Sequence, residues 1–436
     1  MVGAIAAAHG GARVVLADAD FAGPSNLLVS GGLFPVAGSR FQQAAGIADD
    51  PDAFAADVRA KAGGTANEAI VNAVAKTLPR VLDFFVDELG LPIHLAAAIP
   101  APGHRAPRLH ATPAVSGREL HALLRAKVAA EPRIRALDRA ELIELCIDSD
   151  RVTGVRLAVD GQRESIASDA VLLATGGFAG SPALLAAYLP KLADAIHIGA
   201  GPNDGVAIRV ARAAGAAVAM MDGYQGQGHV NPAKRTRLGM ALPLMGALMV
   251  NRAGSRFARE DVGPSDLAPF VLAQLGGVAL EVFDKRCHVQ AMQQGPYAEA
   301  WQAGNIFEAS SIAALAAQAG IPGDVLERTL HEFAACAVGA TVDPLGRTRF
   351  GPALTPPYFA SWVTGALAHT QGGLCADAQA RALRADGSVI PHLFAAGGAA
   401  ASLAGRGGEG YLPGNGLAQS FGLGWLAGKA MAAGRY

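Results

Sequence analysis

The 436-residue chain carries little charge, 17% of its residues, and no excess of either sign: Lys+Arg 36 against Asp+Glu 37 leave a net charge of −1. A general nucleic-acid binder needs a basic footprint, so that class is excluded. Only four cysteines are present (Cys146, Cys287, Cys336, Cys375), none in C-x-x-C spacing. Their scatter argues against a zinc site or a disulfide framework and fits a reducing cytoplasm. Long hydrophobic runs are missing too. The two 19-residue stretches without charge, Phe21–Ser39 and Gly410–Gly428, are broken by Gly, Pro, Ser and Asn and do not read as membrane spans. The start, MVGAIAAAHGGARVV, has no basic segment followed by a cleavage site, so a secretory signal is not expected. No G-x-S-x-G, H-E-x-x-H, G-x-x-x-x-G-K-[ST] or EF-hand loop occurs. A soluble, cytoplasmic protein without a metal is the expectation.

What the chain has is apolar material, 51% of residues, and glycine, 54 of 436 against a usual share of about 7%. At roughly 150 residues per domain the length suits two or three domains with large cores. A glycine excess in a folded chain needs a reason, and close backbone approach to a cofactor is one.

MVGAIAAAHGG reads as a small-residue helix ending at Gly10–Gly11, and ARVVLAD as a buried strand ending in an acid. Small residues let a helix approach a sheet closely, as in dinucleotide-binding units, but the first strand and glycine turn that open such a unit do not precede this helix. With a glycine loop immediately before Met1, Asp18 falls roughly 20 residues after it, where a ribose-binding acid belongs. In a plain αβ unit Asp18 is a surface acid. FAGPSNLLVSGGLFPVAG reads as a Gly/Ser loop; Asp52–Ala62, Glu68–Leu89 and Arg118–Ala130 as helices; Ala140–Ala158 as a β-hairpin turning at Asp148–Arg151. DAVLLATGGFAGS (169–181) is a continuous apolar strand running into a glycine turn, a usual place for a ligand in an α/β sheet. Asn203-Asp204-Gly205 caps a helix through Ala214.

From about Tyr224 to His369 the texture changes to apolar loops (LGMALPLMGALMV), a polar knot (NRAGSRFARED) and helices at Ser311–Gln318 and Gly323–Ala337. This reads as a separate lobe inserted into the first domain. The chain returns with HTQGG, a strand ending in LFAAGG, and GRGGEGYLPGNGLAQSFGLGWLAG leading into a helix. The expected division is 1–222 with 370–436, interrupted by 223–369.

Gly405, Gly407 and Gly410 match G-x-G-x-x-G, but too few residues follow for a βαβ unit, and the match is accidental. Four other glycine turns carry more: Ser30-Gly31-Gly32, Thr175-Gly176-Gly177, Ala396-Gly397-Gly398 and Pro413-Gly414-Asn415-Gly416. Three follow sheet-like elements and the last opens a helix, whose free N–H groups suit an anionic reduced flavin ring. Each alone reads as a loop; their joint order is the signal.

That order resembles the flavoprotein subunit of fumarate reductase and succinate dehydrogenase, a superfamily that includes 3-ketosteroid Δ1-dehydrogenases and urocanate reductase. The resemblance rests on GARVVLAD, the S-x-x-x-x-SGG run ending at Gly32, VLLATGGF, GPNDG, VNRAGSRFARE, HTQGGL, LFAAGG and GYLPGNGL, in family order over essentially the whole chain. It implies an α/β fold: a doubly wound FAD-binding domain, here without its first strand, interrupted by an α+β capping and substrate domain. It puts Asp18 on the adenosine ribose and Ser25, Asn26, Ser30, Gly31 and Gly32 along the pyrophosphate and flavin. Thr175, Gly176, Gly177, Asp204 and Gly397 would also face FAD, as would Gly398, although the family often has an acid there. Asn415, Gly416 and Leu417 fall at the pyrimidine end of the ring. His229 and His369 stand where the family has histidines facing substrate, and His110 reads as structural near the flavin.

Two departures shape the expected chemistry. The G-x-G-x-x-G loop is absent, Met1 aligning just after its last glycine; either the natural protein is longer or FAD is bound poorly. The arginine that delivers a proton in fumarate-reducing members is replaced by Pro264, and a second, carboxylate-clamping arginine by Tyr411 or Leu412. A dicarboxylate needs paired guanidinium groups to replace its water, so fumarate is not the expected substrate. Tyr411, just before P-G-N-G, matches the tyrosine of the steroid branch, displaced by one residue. The expectation is an FAD-dependent oxidoreductase moving hydride between flavin N5 and a carbon–carbon bond next to a carbonyl, with an apolar small-molecule substrate and a proton carried by Tyr411, His229 or His369. Glu260 reads as an acid or as a satisfied loop carboxylate. A carboxylate-directed reductase using Arg235, Arg237, Arg256 or Arg259 is the alternative, and an inactive, FAD-free partner subunit the alternative of another class.

Overall fold

The computed structural model describes residues 1–99, 101–239 and 242–436. These form two compact units, Met1–Leu184 with Gly199–Tyr224 and His369–Tyr436, and Leu185–Ile198 with Gln225–Ala368. The expected lobe, 223–369, omits the stretch Leu185–Ile198. That stretch goes with the second unit because its strand Ile196–His197 pairs in parallel with Ala366 and Leu367.

The first unit is built on helix packing that glycine makes possible. The helix Val2–His9 lies against the C-terminal helix Asn415–Ala432 so closely that a Cβ on Gly3 would stand 2.9 Å from the Gly424 carbonyl oxygen. Every residue from Val2 to Ala8 is buried, as the run of small apolar residues requires. Phe34, Phe85 and Phe421 meet edge to face at 5.3–6.1 Å, and the amphipathic helix Glu68–Asp83, capped by Asn67, closes this core.

The strands of this unit are shorter and less joined than the sequence suggests. Val14–Ala17 pairs only with Ile134–Leu137, and its residues alternate half-buried and exposed; it is not the buried strand expected. The apolar run at 169–181 forms just Val171–Leu173, paired in parallel with Val389–Ala395. The unit mixes helices with these parallel strand pairs, the α/β class expected, and among the described residues Val14–Ala17 and Val171–Leu173 each leave one edge without a strand partner. The expected hairpin at 140–158 gains a third strand, Gln162–Ala167. The expected Gly/Ser loop contains the helix Asn26–Val29 and the strand Phe34–Pro35, so Ser30–Gly32 follows a helix and not a sheet element.

The second unit is an α+β body. Residues 358–368 of the 13-residue strand Tyr358–Thr370 are its spine: Val278–Asp284 and Phe307–Ala309 pair with that strand antiparallel, the strand Tyr224–Val230, which lies in this unit from Gln225, also pairs with it, and Leu248–Val250 adds to Val278–Asp284. Apolar residues pack on both faces, Leu267, Phe283 and Tyr297 in one cluster and Leu315, Leu326 and Phe333 in another. The expected apolar loop at 238–250 holds the helix Leu242–Met245 and the strand Leu248–Val250; its Met240 and Ala241 lie outside the described residues. Among the described residues no helix is long and apolar enough to cross a membrane.

Candidate functional site

Two parallel strands of the first unit end side by side in glycine turns. Ala395 pairs with Leu173, and beyond them a Cβ on Gly398 would lie 2.9 Å from the Gly177 nitrogen, so only bare backbone fits. Gly176, at φ 84, and Gly397, at φ 60, adopt the left-handed conformation that glycine takes without strain. The turn is held from two directions. The buried Asn203 accepts from Gly177 N–H at 3.2 Å, and Thr370 Oγ1 accepts from Phe178 N–H at 3.0 Å. Thr175 and Gly398 stay exposed at the strand ends.

The last glycine turn opens the terminal helix. Gly414, at φ 85, is packed against Pro35, and the next residue, Asn415, is fully buried. Its side-chain Nδ2 and Oδ1 are buried with no hydrogen-bond partner among the described residues. Burying an amide without partners costs about 1–3 kcal/mol, a cost that a ligand supplying both a donor and an acceptor would relieve. Gly416 and Leu417 follow in the first turn, Leu417 packing on the core. A flavin's pyrimidine edge, with alternating N–H and C=O, has the chemistry that Asn415 lacks, and the glycine turns at the strand ends put no side chain between their backbone and a ligand. The residues present fit FAD.

A buried ionic cluster braces this turn. Arg108, fully buried, holds Asp49 at 2.8 and 2.9 Å and Asp57 at 2.6 Å. Its Nη1 lies 3.4 Å from Nδ1 of His104, whose Nε2 meets the Pro413 carbonyl at 2.9 Å. Burial keeps His104 below the ordinary histidine value, against the pull of Pro413. Tyr411 and His369 meet edge to face at 5.4 Å. Burial raises the Tyr411 hydroxyl, which bonds to the Gly416 and Gly414 backbone, and pushes His369 down to about 4. His369 is thus neutral at pH 7, with the Gln371 amide 3.2 Å from Nδ1. His110 has both nitrogens committed, to Ser39 Oγ and to the Arg108 carbonyl, each at 2.9 Å.

The earlier residues sit in local turns. Ser25 caps the helix Asn26–Val29, Asn26 Oδ1 accepts from Ala200 N–H at 2.9 Å, and Ser30 Oγ donates to the Leu27 carbonyl. A Cβ on Gly31 would make ordinary contact with the Leu33 side chain at 3.6 Å, whereas a Cβ on Gly32 would meet the Ser116–Gly117 backbone at 2.8 Å. Asp18 is exposed and accepts from Asp20 N–H; Asp204 accepts from Val206 N–H at the start of its helix.

In the second unit, His229 is 2% exposed and its Nδ1 lies 3.0 and 3.1 Å from the two oxygens of the fully buried Glu281. Glu260 is a satisfied carboxylate: it accepts from Arg256 Nε and Nη2 at 2.8 Å, from Arg347 Nη1 at 3.0 Å and from Met249 N–H. Arg256 also binds Asp343, and its pKa is raised because these two acids outweigh burial. Arg259 pairs with Asp261, while Arg235 and Arg237 are exposed. Asn203, Thr370, His104, Arg108, Glu281, Asp343 and Arg347 escape sequence reasoning because their partners are distant in the chain; only Asn203 beside Asp204 had a local signal.

Paired strand ends, glycine turns and a ligand-seeking asparagine at a helix N-terminus define a nucleotide-cofactor protein. A model of the FAD binding domain matches residues 1–417, and the chain belongs to that family. It is 27% identical over 434 residues, 97% of the chain, to a probable fumarate reductase Ifc3 of Shewanella frigidimarina, spanning 71% of that protein. It is 28% identical to 4-oxocyclohexanecarboxylate 2-dehydrogenase of Sinomonas cyclohexanicum, covering 98% of the chain and 90% of the relative. Of a 3-oxosteroid 1-dehydrogenase of Mycobacterium tuberculosis it spans 57%, and of four further relatives less than half. Its fold matches an open flavocytochrome c3 fumarate reductase (TM-score 0.86, 23% identity, 100% of this chain and 76% of that one). It also matches a 3-ketosteroid Δ1-dehydrogenase of Sterolibacterium denitrificans (TM-score 0.78, 20% identity, 99% and 97%). The cofactor is FAD, and the chain is an FAD-dependent oxidoreductase whose relatives act on CH–CH bonds.

Proposed function

We propose that this protein adds or removes hydrogen across a carbon–carbon bond next to a carbonyl, on an alicyclic or otherwise apolar substrate. FAD, when bound, supplies the hydride acceptor or donor. Asp18, Ser25, Asn26, Ser30, Gly31 and Gly32 would hold its ribose and phosphates, with Asp204 nearby. Thr175, Gly176, Gly177, Gly397 and Gly398 would line the ring's approach, and Asn415, Gly416 and Leu417 its pyrimidine end. Tyr411, His369 and His229 carry the proton or polarise the carbonyl. Neutral His369 suits the second task, and Tyr411, kept protonated by burial, can donate a hydrogen bond.

One observation carries the substrate class. The two buried guanidinium groups of the second unit, Arg256 and Arg347, are already bound by Glu260 and Asp343, which leaves neither free to replace the water of a dicarboxylate. The Sinomonas relative, whose named substrate is a cyclic ketone that also carries one carboxylate, supports chemistry next to a ring carbonyl. The Shewanella relative favours a second one, a carboxylate-directed reductase in which exposed Arg235, Arg237 or Arg259 takes the clamp's place. Hydrogen transfer is to be measured with cyclohexenones, steroid enones and fumarate on one preparation. Faster turnover of fumarate overturns the substrate class. The four cysteines are free, which fits the cytoplasm as the proposed location.

A further inference from the structure

His104 has one ring nitrogen against a donor and the other against an acceptor, all within the first unit. Nη1 of Arg108 can only donate, and Nδ1 of His104 lies 3.4 Å from it; the Pro413 carbonyl can only accept, and Nε2 lies 2.9 Å from it. The neutral ring with its hydrogen on Nε2 meets both. A proton added at Nδ1 would set N–H against N–H and a second positive charge against the Arg108 guanidinium.

The loop that carries His104 is pressed onto the segment leading into the terminal helix: a Cβ on Gly103, at φ 91, would stand 2.6 Å from Leu412 Cδ1. Phe54 stacks on the ring at 6.1 Å. The charges around the ring balance without it, Arg105 and Arg108 being paired with Asp57 and Asp49. Burial would raise the Asp57 carboxyl, but hydrogen bonds from Arg105 and Arg108 hold it below the ordinary value, and Tyr411, raised by burial, stays protonated. A cavity of about 220 Å3 lined by Ala97, Ile99, Ala101, Arg105 and His104 itself gives a proton its way to the ring.

We propose that His104 is a positioning residue for FAD: its neutral ring holds the Pro413 carbonyl, and with it the Gly414 turn that presents Asn415, while a proton on the ring loosens that turn and weakens FAD binding. This rests on the reading of Asn415, Gly416 and Leu417 as the pyrimidine end of the cofactor site. The proton comes from solvent and bonds to the Nδ1 lone pair; no other covalent bond breaks. The ring then turns away from Arg108, and Nε2 moves with it off Pro413. Burial already favours the neutral ring, so the binding-competent form is the one present at neutral pH and is lost as pH falls. By reciprocity, bound FAD must make the ring harder to protonate. A charge that acted only at a distance would have the opposite sign, since a positive ring attracts the FAD phosphates and tightens binding in acid.

The test is FAD titration of the full FAD-free chain between about pH 7.5 and about pH 4.5, for wild type, H104L and H104Q, with folding followed at Trp425. Wild-type Kd should rise as pH falls, approaching about tenfold per pH unit once the free ring is protonated. H104L, which makes neither hydrogen bond, should bind about tenfold more weakly at neutral pH, and its affinity should not follow that of the wild type in acid. H104Q, whose amide can both accept from Arg108 and donate to Pro413 but cannot titrate, should recover most of that loss and keep its affinity in acid. NMR of His104 should find the hydrogen on Nε2 at neutral pH and a titration midpoint that moves down when FAD is added. A midpoint that stays or moves up, tighter binding in acid, a variant profile that matches the wild type, or unfolding of the loaded chain before FAD leaves overturns the proposal. If H104Q or H104L does not fold, the wild-type midpoint with and without FAD decides alone. If Asn415→Leu binds FAD as the wild type does, the placing of FAD at this turn has failed; if it binds weakly while the His104 variants keep the wild-type profile, only the role of His104 has.

Discussion

The two units handle polar groups in opposite ways. In the first, the groups offered to a ligand are main-chain amides and one unpartnered asparagine, set where strands end and a helix begins. The side-chain charges buried there, Arg108 with Asp49 and Asp57, are turned inward as a brace. In the second unit much of the backbone is paired in a six-stranded sheet, and the buried charges are met mainly by other side chains in an apolar body: Arg256 and Arg347 with Glu260 and Asp343, and His229 with Glu281. A cofactor shared by many enzymes is suited by backbone that tolerates sequence change. A particular substrate is met by side chains, and of the two arginines expected from the resemblance one gives way to Pro264 in the second unit and the other to Tyr411 or Leu412 in the first.

The tryptophans allow this contrast to be broken one unit at a time, since Trp301 and Trp362 belong to the second unit and Trp425 to the first. The largest effect is expected from Arg347→Met, which leaves Glu260 short of a buried partner and should cost about 3–5 kcal/mol. Denaturant unfolding followed at Trp301 and Trp362 should shift; if it does not, the cluster is reached by water.

Next is acid. Burial pushes His110 down to about 4, below its unfolded value near 6.5. The unfolded chain therefore takes up the proton first, and stability is lost as pH falls from about 6.5 to about 4, by about 3 kcal/mol. The fall, followed at Trp425, should be shallower in His110→Asn; equal slopes would dissociate His110 from acid sensitivity.

A Cβ on Gly428 would run into the Gly3 carbonyl and Ala6. Gly428→Ala should cost about 2 kcal/mol, from overpacking, and move the Trp425 transition more than that of Trp362. The smallest shift is the most diagnostic. Asn415→Leu should stabilise the FAD-free protein by about 1 kcal/mol, having removed an unpaired buried amide, yet weaken FAD binding at least tenfold. Titration of FAD and thermal unfolding of the FAD-free form check both signs; tighter FAD binding by the variant would remove Asn415 from the site.

Much of the first unit was legible locally. The helices at Val2–His9, Pro51–Lys61 and Gly117–Ala130 announce themselves by small or periodic apolar residues and by caps such as Asp50, whose Oδ1 accepts from Ala53 N–H. The glycine turns were legible because only glycine tolerates a positive φ such as that of Gly176 or Gly414 without strain. The sheet of the second unit was not, since its spine Tyr358–Thr370 is buried along most of its length and shows no alternation to read.

The motifs in their order along the chain, the glycine turns among them, were enough to mark the resemblance to the family, and through it FAD, because each motif is legible in the residues of its own segment. Which side chains meet was decided only by the tertiary structure. Glu281 lies 52 positions from His229, Arg347 lies 87 from Glu260, and Pro413 lies 309 from His104. Nothing local marks such residues, because a buried charge is tolerable only once folding has brought its partner to it.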